Sequence, residues 1–404
     1  MFNKREIKKI RSNFPILKKK NFIYFDNSST TQKPKCLINN INYYYSNLNS
    51  NINRSNYTLS NKTTDLIYKS RNKIKHFIHA KYAKEIIFTK GTTESINLIS
   101  NSLNWSKNDE IVITLLEHHS NFLPWQLLSY KKKIKLKFIK INKLYNIDLN
   151  DLKKKINNKT KLISITHISN VFGTILPIYY IVNIIKKINN KILILLDGAQ
   201  SIAHIPIDVQ KLNIDFFVFS AHKIYGPTGL GILYGKKNIL KKLNKYQVGG
   251  SMVKYVSLKK TTYLDLPSIL EAGTPNISSI ISFYYVIKFI EKIKIYNINI
   301  YENKLIEYTK KLFLNNKKII LYGKNNIYNS SILSFNVKNI NNFDLGCLLN
   351  KYGICVRTGY HCAQPLFNYL KLKNGTIRIS YGLYNKKEEI NKFYFLLLKI
   401  IKTL

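Results

Sequence analysis

The amino-acid sequence predicts an α/β fold, with a mostly parallel sheet between layers of helices and a smaller α+β unit after it. Three observations carry this. Between about residues 85 and 235, short apolar runs alternate with longer helical patterns. Several of those runs are continuously apolar, as strands buried on both faces must be. After Gly273-Thr-Pro-Asn276 the alternation gives way to long helical patterns.

In chain order the predicted strands are Glu85–Thr89 (EIIFT), Glu110–Thr114 (EIVIT), Lys137–Ile141, Leu162–Thr166 (LISIT), Ile192–Leu196 (ILILL), Phe216–Phe219 (FFVF) and Gly231–Tyr234. Ser95–Leu103 and Ile178–Ile188 show helical periodicity between them. The Lys- and Asn-rich stretches Asn142–Thr160 and Lys236–Lys245 read as solvated connections or helices. Beyond residue 276, Ser279–Lys294 and Glu302–Leu314 are helical patterns, and Ile332–Val337 resumes the strands. The expected domains are 25–276, large, and 277–404, small, with 1–24 an N-terminal segment associated with the small one. No internal repeat is visible.

The 404 residues carry 65 Lys+Arg against 21 Asp+Glu, a formal net charge of +44. Such a balance often marks nucleic-acid binding. Here 59 of the basic residues are Lys, spread from end to end, and only six are Arg. Recognition of phosphate prefers Arg wherever planar, bidentate contact matters. The composition looks like drift toward A/T-rich codons, as in reduced bacterial genomes, and the surviving Arg and Gly then mark positions where replacement was costly. With 45% hydrophobic and 13% aromatic residues, intrinsic disorder is excluded. Four cysteines without a CxxC pair exclude a disulfide framework and the common zinc spacings, and no metal site is expected. No apolar stretch reaches about 18 residues, so no membrane span is expected. The basic N-terminus lacks the apolar core of a secretory signal, and the expected location is cytoplasmic.

In open parallel sheets, ligands bind beyond the carboxyl ends of the strands. EIIFT leads to Lys90-Gly-Thr-Thr-Glu94 and a helix, a set of N–H and hydroxyl donors suited to an anion. EIVIT leads to Leu115-Leu-Glu-His-His119, LISIT to His167-Ile-Ser-Asn170, ILILL to Asp197-Gly-Ala-Gln200, and FFVF to Ser220-Ala-His-Lys223. A single polar residue after a strand is an ordinary cap; four strands in succession ending in His, Asn, Asp and Lys point to one crevice. An Asp with a Lys about 26 residues later fits pyridoxal phosphate, the carboxylate pairing with the ring nitrogen and the Lys forming the Schiff base. Thr92, Thr93, Ser220 and His222 would form the phosphate cup.

The segment Arg357-Thr-Gly-Tyr-His-Cys-Ala-Gln-Pro365 sets Cys362 apart. Cys36, Cys347 and Cys355 read as small core residues, whereas Cys362 lies in a polar loop where a thiol can react as thiolate. Arg378, in the predicted strand Thr-Ile-Arg-Ile-Ser, needs an anionic partner, and a substrate carboxylate is the natural one. Arg357 is read with it as substrate-binding.

The residues now on view resemble a known family. FDNSSTTQKP (25–34), FTKGTTESINL (88–98), EHHSNFLPWQ (117–126), ITHISNVFGT (165–174), DGAQS (197–201), FSAHKIYGPTGLGILYG (219–235), GGSM (249–252), EAGTPN (271–276) and RTGYHCAQPL (357–366) are similar, in order and spacing, to the class V aminotransferase-like cysteine desulfurases of the group II, SufS-type branch. The resemblance implies a type I pyridoxal-phosphate fold and a homodimer. It implies Lys223 as the cofactor's covalent anchor, Asp197 on the ring nitrogen, His118 over the ring and Gln200 on the ring oxygen. It places Thr93, Ser220 and His222 on the phosphate, with Thr274 reaching in from the other subunit. Asn170 and Arg378 would hold the substrate carboxylate and Cys362 would be the nucleophile. The implied activity converts L-cysteine to L-alanine and passes the sulfur, as a Cys362 persulfide, to a SufE-type or scaffold protein for iron–sulfur cluster assembly. Selenocysteine lyase activity is the alternative within enzymes; outside them it is nucleic-acid binding on a retained scaffold. The chain departs from the family at Asn53-Arg54-Ser55 (commonly His-Arg-Gly), at Tyr360 (commonly a second His) and at Asp26-Asn-Ser-Ser29 (commonly more Ala-rich).

Overall fold

A computed structural model describes residues 2–19, 22–53, 55–323 and 330–403; Arg54 lies outside them. Its centre is a seven-stranded sheet. In chain order the strands are β1 (Ile86–Thr89), β2 (Glu110–Thr114), β3 (Lys135–Ile139), β4 (Thr160–Thr166), β5 (Leu193–Asp197), β6 (Phe216–Ser220) and β7 (Gly231–Gly235). Their spatial order is β1-β7-β6-β5-β4-β2-β3. The pairings from β6 to β3 are parallel, and the two that β7 makes are antiparallel.

The continuous apolar runs have a simple cause. Ile163 and Ile165 of β4 and Phe217 and Phe219 of β6 enter one core, while Leu162, Phe216 and Val218 enter another. Successive side chains of a strand point to opposite faces, so a strand covered on both sides must be apolar throughout. Strand β3 lies at the sheet edge and is only partly buried, and its limits differ from the expected Lys137–Ile141 by two residues. Lys137, read as a strand start, instead reaches buried Glu110 at 2.5 Å, and Ile141 forms an isolated bridge with Ile147.

A second, antiparallel sheet contains β8 (Ile319–Tyr322), β9 (Ile332–Val337), β10 (Arg357–Gly359) and β11 (Thr376–Ser380), in the order β8-β9-β11-β10. It has its own core, from Leu305 to Phe313 in the preceding helix and from Phe393 to Ile401 in the last one. The helix Ile277–Ile293, capped by the Asn276 side chain, packs instead on helices Lys35–Asn47 and Thr58–Phe77 and buries Ile280, Phe283 and Ile287 in the first core. The N-terminal residues touch both units: Ile7, Ile10 and Phe14 join the first core, while Ile23 and Phe25 join the second. Cys347 is exposed rather than buried, because it sits on the outward face of the helix Asn342–Lys351; Cys36 and Cys355 are part-buried.

Strand β7 passes close behind the loop that follows β1. A Cβ on Gly231 would lie 2.4 Å from the Cα of Gly91, backbone against backbone. Gly231→Ala is therefore expected to lower unfolding free energy by about 1–3 kcal/mol in a denaturant titration. A loss below about 0.5 kcal/mol would show that the two segments are not in contact.

Candidate active site

The carboxyl ends of β4, β5 and β6 open into a cavity of about 190 Å³. Thr92, Thr93, His118, Asn170, Asp197, Gln200, Ser220, His222, Lys223, Arg357 and Arg378 all line it. Residues spread over nearly 290 positions are thus brought together, as the strand-end reading expects. Two expected residues are not among the lining. Thr274 lies in a separate groove with Tyr44 and Tyr45, and Cys362 is at the rim, next in the chain to lining residue His361.

One end of the cavity is built for an anion. The helix Thr92–Ser102 starts there after Gly91, which has no side chain to cap it, so the positive end of the helix dipole points at the site, with the Thr92 N–H already taken by a neighbouring hydroxyl. Ser220 Oγ accepts from Thr92 N–H at 2.8 Å and lies 2.8 Å from Thr92 Oγ1. Thr93 Oγ1 and Ser120 Oγ are 2.7 Å apart. His222 is held neutral by burial, with a pKa of about 4, further lowered by Lys223 and Lys33.

The other end holds a carboxylate. Asp197 is buried and accepts Ala199 N–H at 2.9 Å. Burial raises its proton affinity, opposed by that N–H and by Lys223. Lys223 has its pKa lowered to about 8 by burial; Asp197 pulls it back up and the two cavity arginines push it down. The turn carrying Lys223 is fixed through the carbonyl of His222, which accepts from Thr31 N–H (3.1 Å), Thr31 Oγ1 (3.0 Å) and Lys33 Nζ (3.0 Å). His118 is neutral, its pKa brought to about 3 mainly by burial and then by Lys223; its Nδ1 accepts Ser120 N–H at 3.0 Å, so the proton is on Nε2. Gln200 is engaged with Ser28, through Oε1 to the hydroxyl at 3.2 Å and Nε2 to the carbonyl at 3.0 Å.

This donor set fits pyridoxal phosphate: an anion cup, a buried carboxylate and a lysine with a depressed pKa.

The third wall comes from the second sheet. Arg357 and Arg378 are direct partners across β10 and β11. Arg378 Nη1 donates to Asn170 O (2.9 Å), and its Nη2 meets Asp26 Oδ1 (3.1 Å) and Ser29 Oγ (2.9 Å). Arg357 Nη1 donates to Ser29 Oγ (2.6 Å) and its Nη2 to Cys362 Sγ (3.4 Å). The Asn170 amide, expected on a substrate carboxylate, donates to His361 O at 2.7 Å. Tyr360 turns its hydroxyl to Lys373 O and its ring to Phe367.

Several contributors were not singled out in the sequence. Ser28 and Ser29 lie in the FDNSSTTQKP segment, yet only the fold shows Ser29 joining Asp26 to both arginines. Glu117, next to His118, is buried and accepts from Thr114 Oγ1, Asn121 Nδ2 and Thr166 N–H. It ties the end of β2 to the end of β4 and so fixes the loop that presents His118. Burial pushes its pKa up to about 8. His167, the first polar residue after β4, is buried and does not line the cavity.

Comparisons with known proteins place the chain in a family. A family model described as Aminotransferase class-V matches residues 23–393. The "Cysteine desulfurase" of Wigglesworthia glossinidia brevipalpis is 45% identical over 410 residues, 98% of each chain. The "Probable cysteine desulfurase" of Halalkalibacterium halodurans is 40% identical over 396 residues, 96% of each. Among solved structures, the apo cysteine desulfurase of Thermococcus onnurineus NA1 has a TM-score of 0.94 at 36% identity, over 98% of both chains. The cysteine desulfurase CsdA of Escherichia coli has a TM-score of 0.92 at 29% identity, over 100% of both.

A pKa of about 8 makes roughly a tenth of Lys223 free amine at pH 7, against fewer than about one in a thousand for an ordinary lysine. Lys33, lowered to about 7 by burial, should be freer still. In protein freed of cofactor, amine labelling followed by peptide mass spectrometry should show these two lysines reacting with midpoints near pH 8 and 7. A midpoint near 10 for Lys223 would contradict the burial that the cavity imposes.

Proposed function

This chain belongs to the aminotransferase class-V family, and from that premise we infer that its cavity holds pyridoxal 5'-phosphate and converts L-cysteine to L-alanine as a cysteine desulfurase. The observation that carries the reading is the convergence on one cavity of the buried Asp197–Lys223 pair, an anion cup and, at the rim, a thiol 3.4 Å from an arginine. When bound, the cofactor supplies an electron sink for the pair left at the substrate α-carbon.

The chain's residues have the remaining work. Thr92, Thr93, Ser220, His222 and the helix N-terminus hold the phosphate. Asp197 holds the ring nitrogen protonated, and its own burial is what gives it the proton affinity to share. Lys223 would anchor the cofactor, and its free amine would be the base for the substrate α-proton; a pKa of about 8 suits both tasks near neutral pH. Arg378 and Arg357 offer the substrate carboxylate a cationic wall, and Asn170 holds that wall and the His361 carbonyl in register. Cys362, as thiolate beside Arg357, takes the sulfur. The atoms balance as L-cysteine plus the Cys362 thiol giving L-alanine plus a Cys362 persulfide.

The persulfide then needs a thiol acceptor, which we take to be a SufE-type or scaffold protein of iron–sulfur assembly. We also take the working unit to be a homodimer. In its support, Thr274 lies outside its own chain's cavity, beside Tyr45, which is exposed. No helix among the described residues is long and apolar enough to cross a membrane. A cytoplasmic location would keep the four free cysteines reduced.

Purified protein is expected to carry a near-visible chromophore, release alanine from L-cysteine and show a persulfide on the Cys362 peptide. Lys223→Ala should lose the covalently held chromophore. Cys362→Ala should keep it but lose turnover of cysteine by more than about 100-fold. Full cysteine turnover by Cys362→Ala would remove the thiol from the reaction, and turnover confined to selenocysteine would favour the lyase reading.

A further inference from the structure

The loop bearing Cys362 holds a conformation that its own residues resist. His361 and Cys362 are both left-handed, at φ 49° and 56°, a region unfavourable for side chains with a Cβ. Bonds from outside must keep it there. Asn170 Nδ2 donates to His361 O, and the loop closes on itself through Ala363 N–H to Tyr360 O at 2.9 Å. The His361 ring meets Thr376 Oγ1 at 2.9 Å and Arg357 donates to Cys362 Sγ. Two further bonds come from one residue, His119. Its main-chain N–H donates to Cys362 O at 2.7 Å, and its Nε2 accepts Gln364 N–H at 3.1 Å. These two bonds hold the thiol residue's own carbonyl and the N–H two residues after it, across 243 and 245 positions of sequence.

The ring is suited to this. Nε2 accepts the Gln364 N–H, so it carries a lone pair and the ring proton is on Nδ1; burial favours this uncharged form. The segment is continuous with the cofactor wall. His118 precedes it, and Ser120, which follows, donates its N–H to His118 Nδ1 and sits 2.7 Å from Thr93 Oγ1 in the anion cup.

We propose that His119 is the positioning residue for the nucleophile, clamping the Cys362 loop through its N–H and Nε2 and setting that loop relative to the His118–Ser120 wall. This rests on the desulfurase reading for its purpose but not for its test. In the holoenzyme, iodoacetamide labelling of Cys362, resolved by peptide mass spectrometry against exposed Cys347 as internal reference, reports how firmly the loop is held. His119→Ala removes the ring bond and should speed Cys362 labelling about fivefold, the weight of one neutral hydrogen bond. His119→Gln, whose amide oxygen can accept from Gln364, should return the rate close to that of the unaltered protein. In turnover, His119→Ala should lower kcat about fivefold with KM for cysteine little changed, because substrate binding lies elsewhere in the cavity. If the alanine variant does not fold, His119→Asn, one bond too short to reach Gln364, takes its place. Unchanged Cys362 labelling, or a Gln variant no better than Ala, would overturn the proposal. Absence of alanine and persulfide in the unaltered protein would sink the desulfurase reading alone, since labelling needs no turnover.

Discussion

Two arginines stand directly opposite each other on neighbouring antiparallel strands, and much of the site follows from that pairing. Arg357 and Arg378 are cross-strand partners, Arg378 is only 2% exposed, and like charges so placed repel. Burial draws the Arg378 pKa down to about 10, with Arg357 adding to the fall and Asp26 opposing it. A single carboxylate, Asp26, a hydroxyl, Ser29, and the Asn170 carbonyl are the protein's answer to two guanidinium groups. Positive potential is left over and faces the cavity. A fold keeps such a cost where the charge has a task, and here the tasks are an anionic substrate group and a sulfur anion.

The N-terminal stretch from Asp26 to Lys33 is what makes this arrangement hold. It reaches Arg378 and Arg357 on the second sheet, Gln200 after β5 and the His222 carbonyl after β6. These contacts cross the line between the two cores. The cavity is thus not a gap left between domains but a seam stitched by eight consecutive residues. Movement of the seam would alter the thiol wall and the lysine turn together.

The large sheet was legible because its strands are buried on both faces. EIVIT matches β2 at both ends and FFVF matches β6 to within one residue. The edge strand was not, since KLKFI is half solvated and its Lys137 is held by Glu110 rather than by water. Strand-end residues were legible because a parallel sheet converts sequence order into proximity. What escaped was pairing at long range. Nothing in the sequence says that Ser29 will meet Arg357 or that His119 will accept from Gln364, 245 residues away. Cys362 could be singled out by its polar neighbours, but nothing in the segment says that Arg357 will stand beside its sulfur. Cys347 was misjudged because Cys is buried on average, whereas one face of an amphipathic helix is not.

The placement of the acidic residues bears on how the chain has changed. Of the 21, Glu85, Glu110, Glu117, Asp197, Asp215 and Glu302 are buried. Asp215 alone answers both Lys186 and Lys236, and Glu271 grips Arg71 with both oxygens. Replacing Glu271 would strand buried Arg71, which costs far more than a surface change. Drift has therefore been filtered by depth. The interior keeps its carboxylates, while the exterior has become a shell of lysine whose neutralising ions must come from the surrounding salt. In that sense the protein is a carboxylate-bearing core inside a polycation, and the behaviour of its surface depends on its medium as much as on its fold.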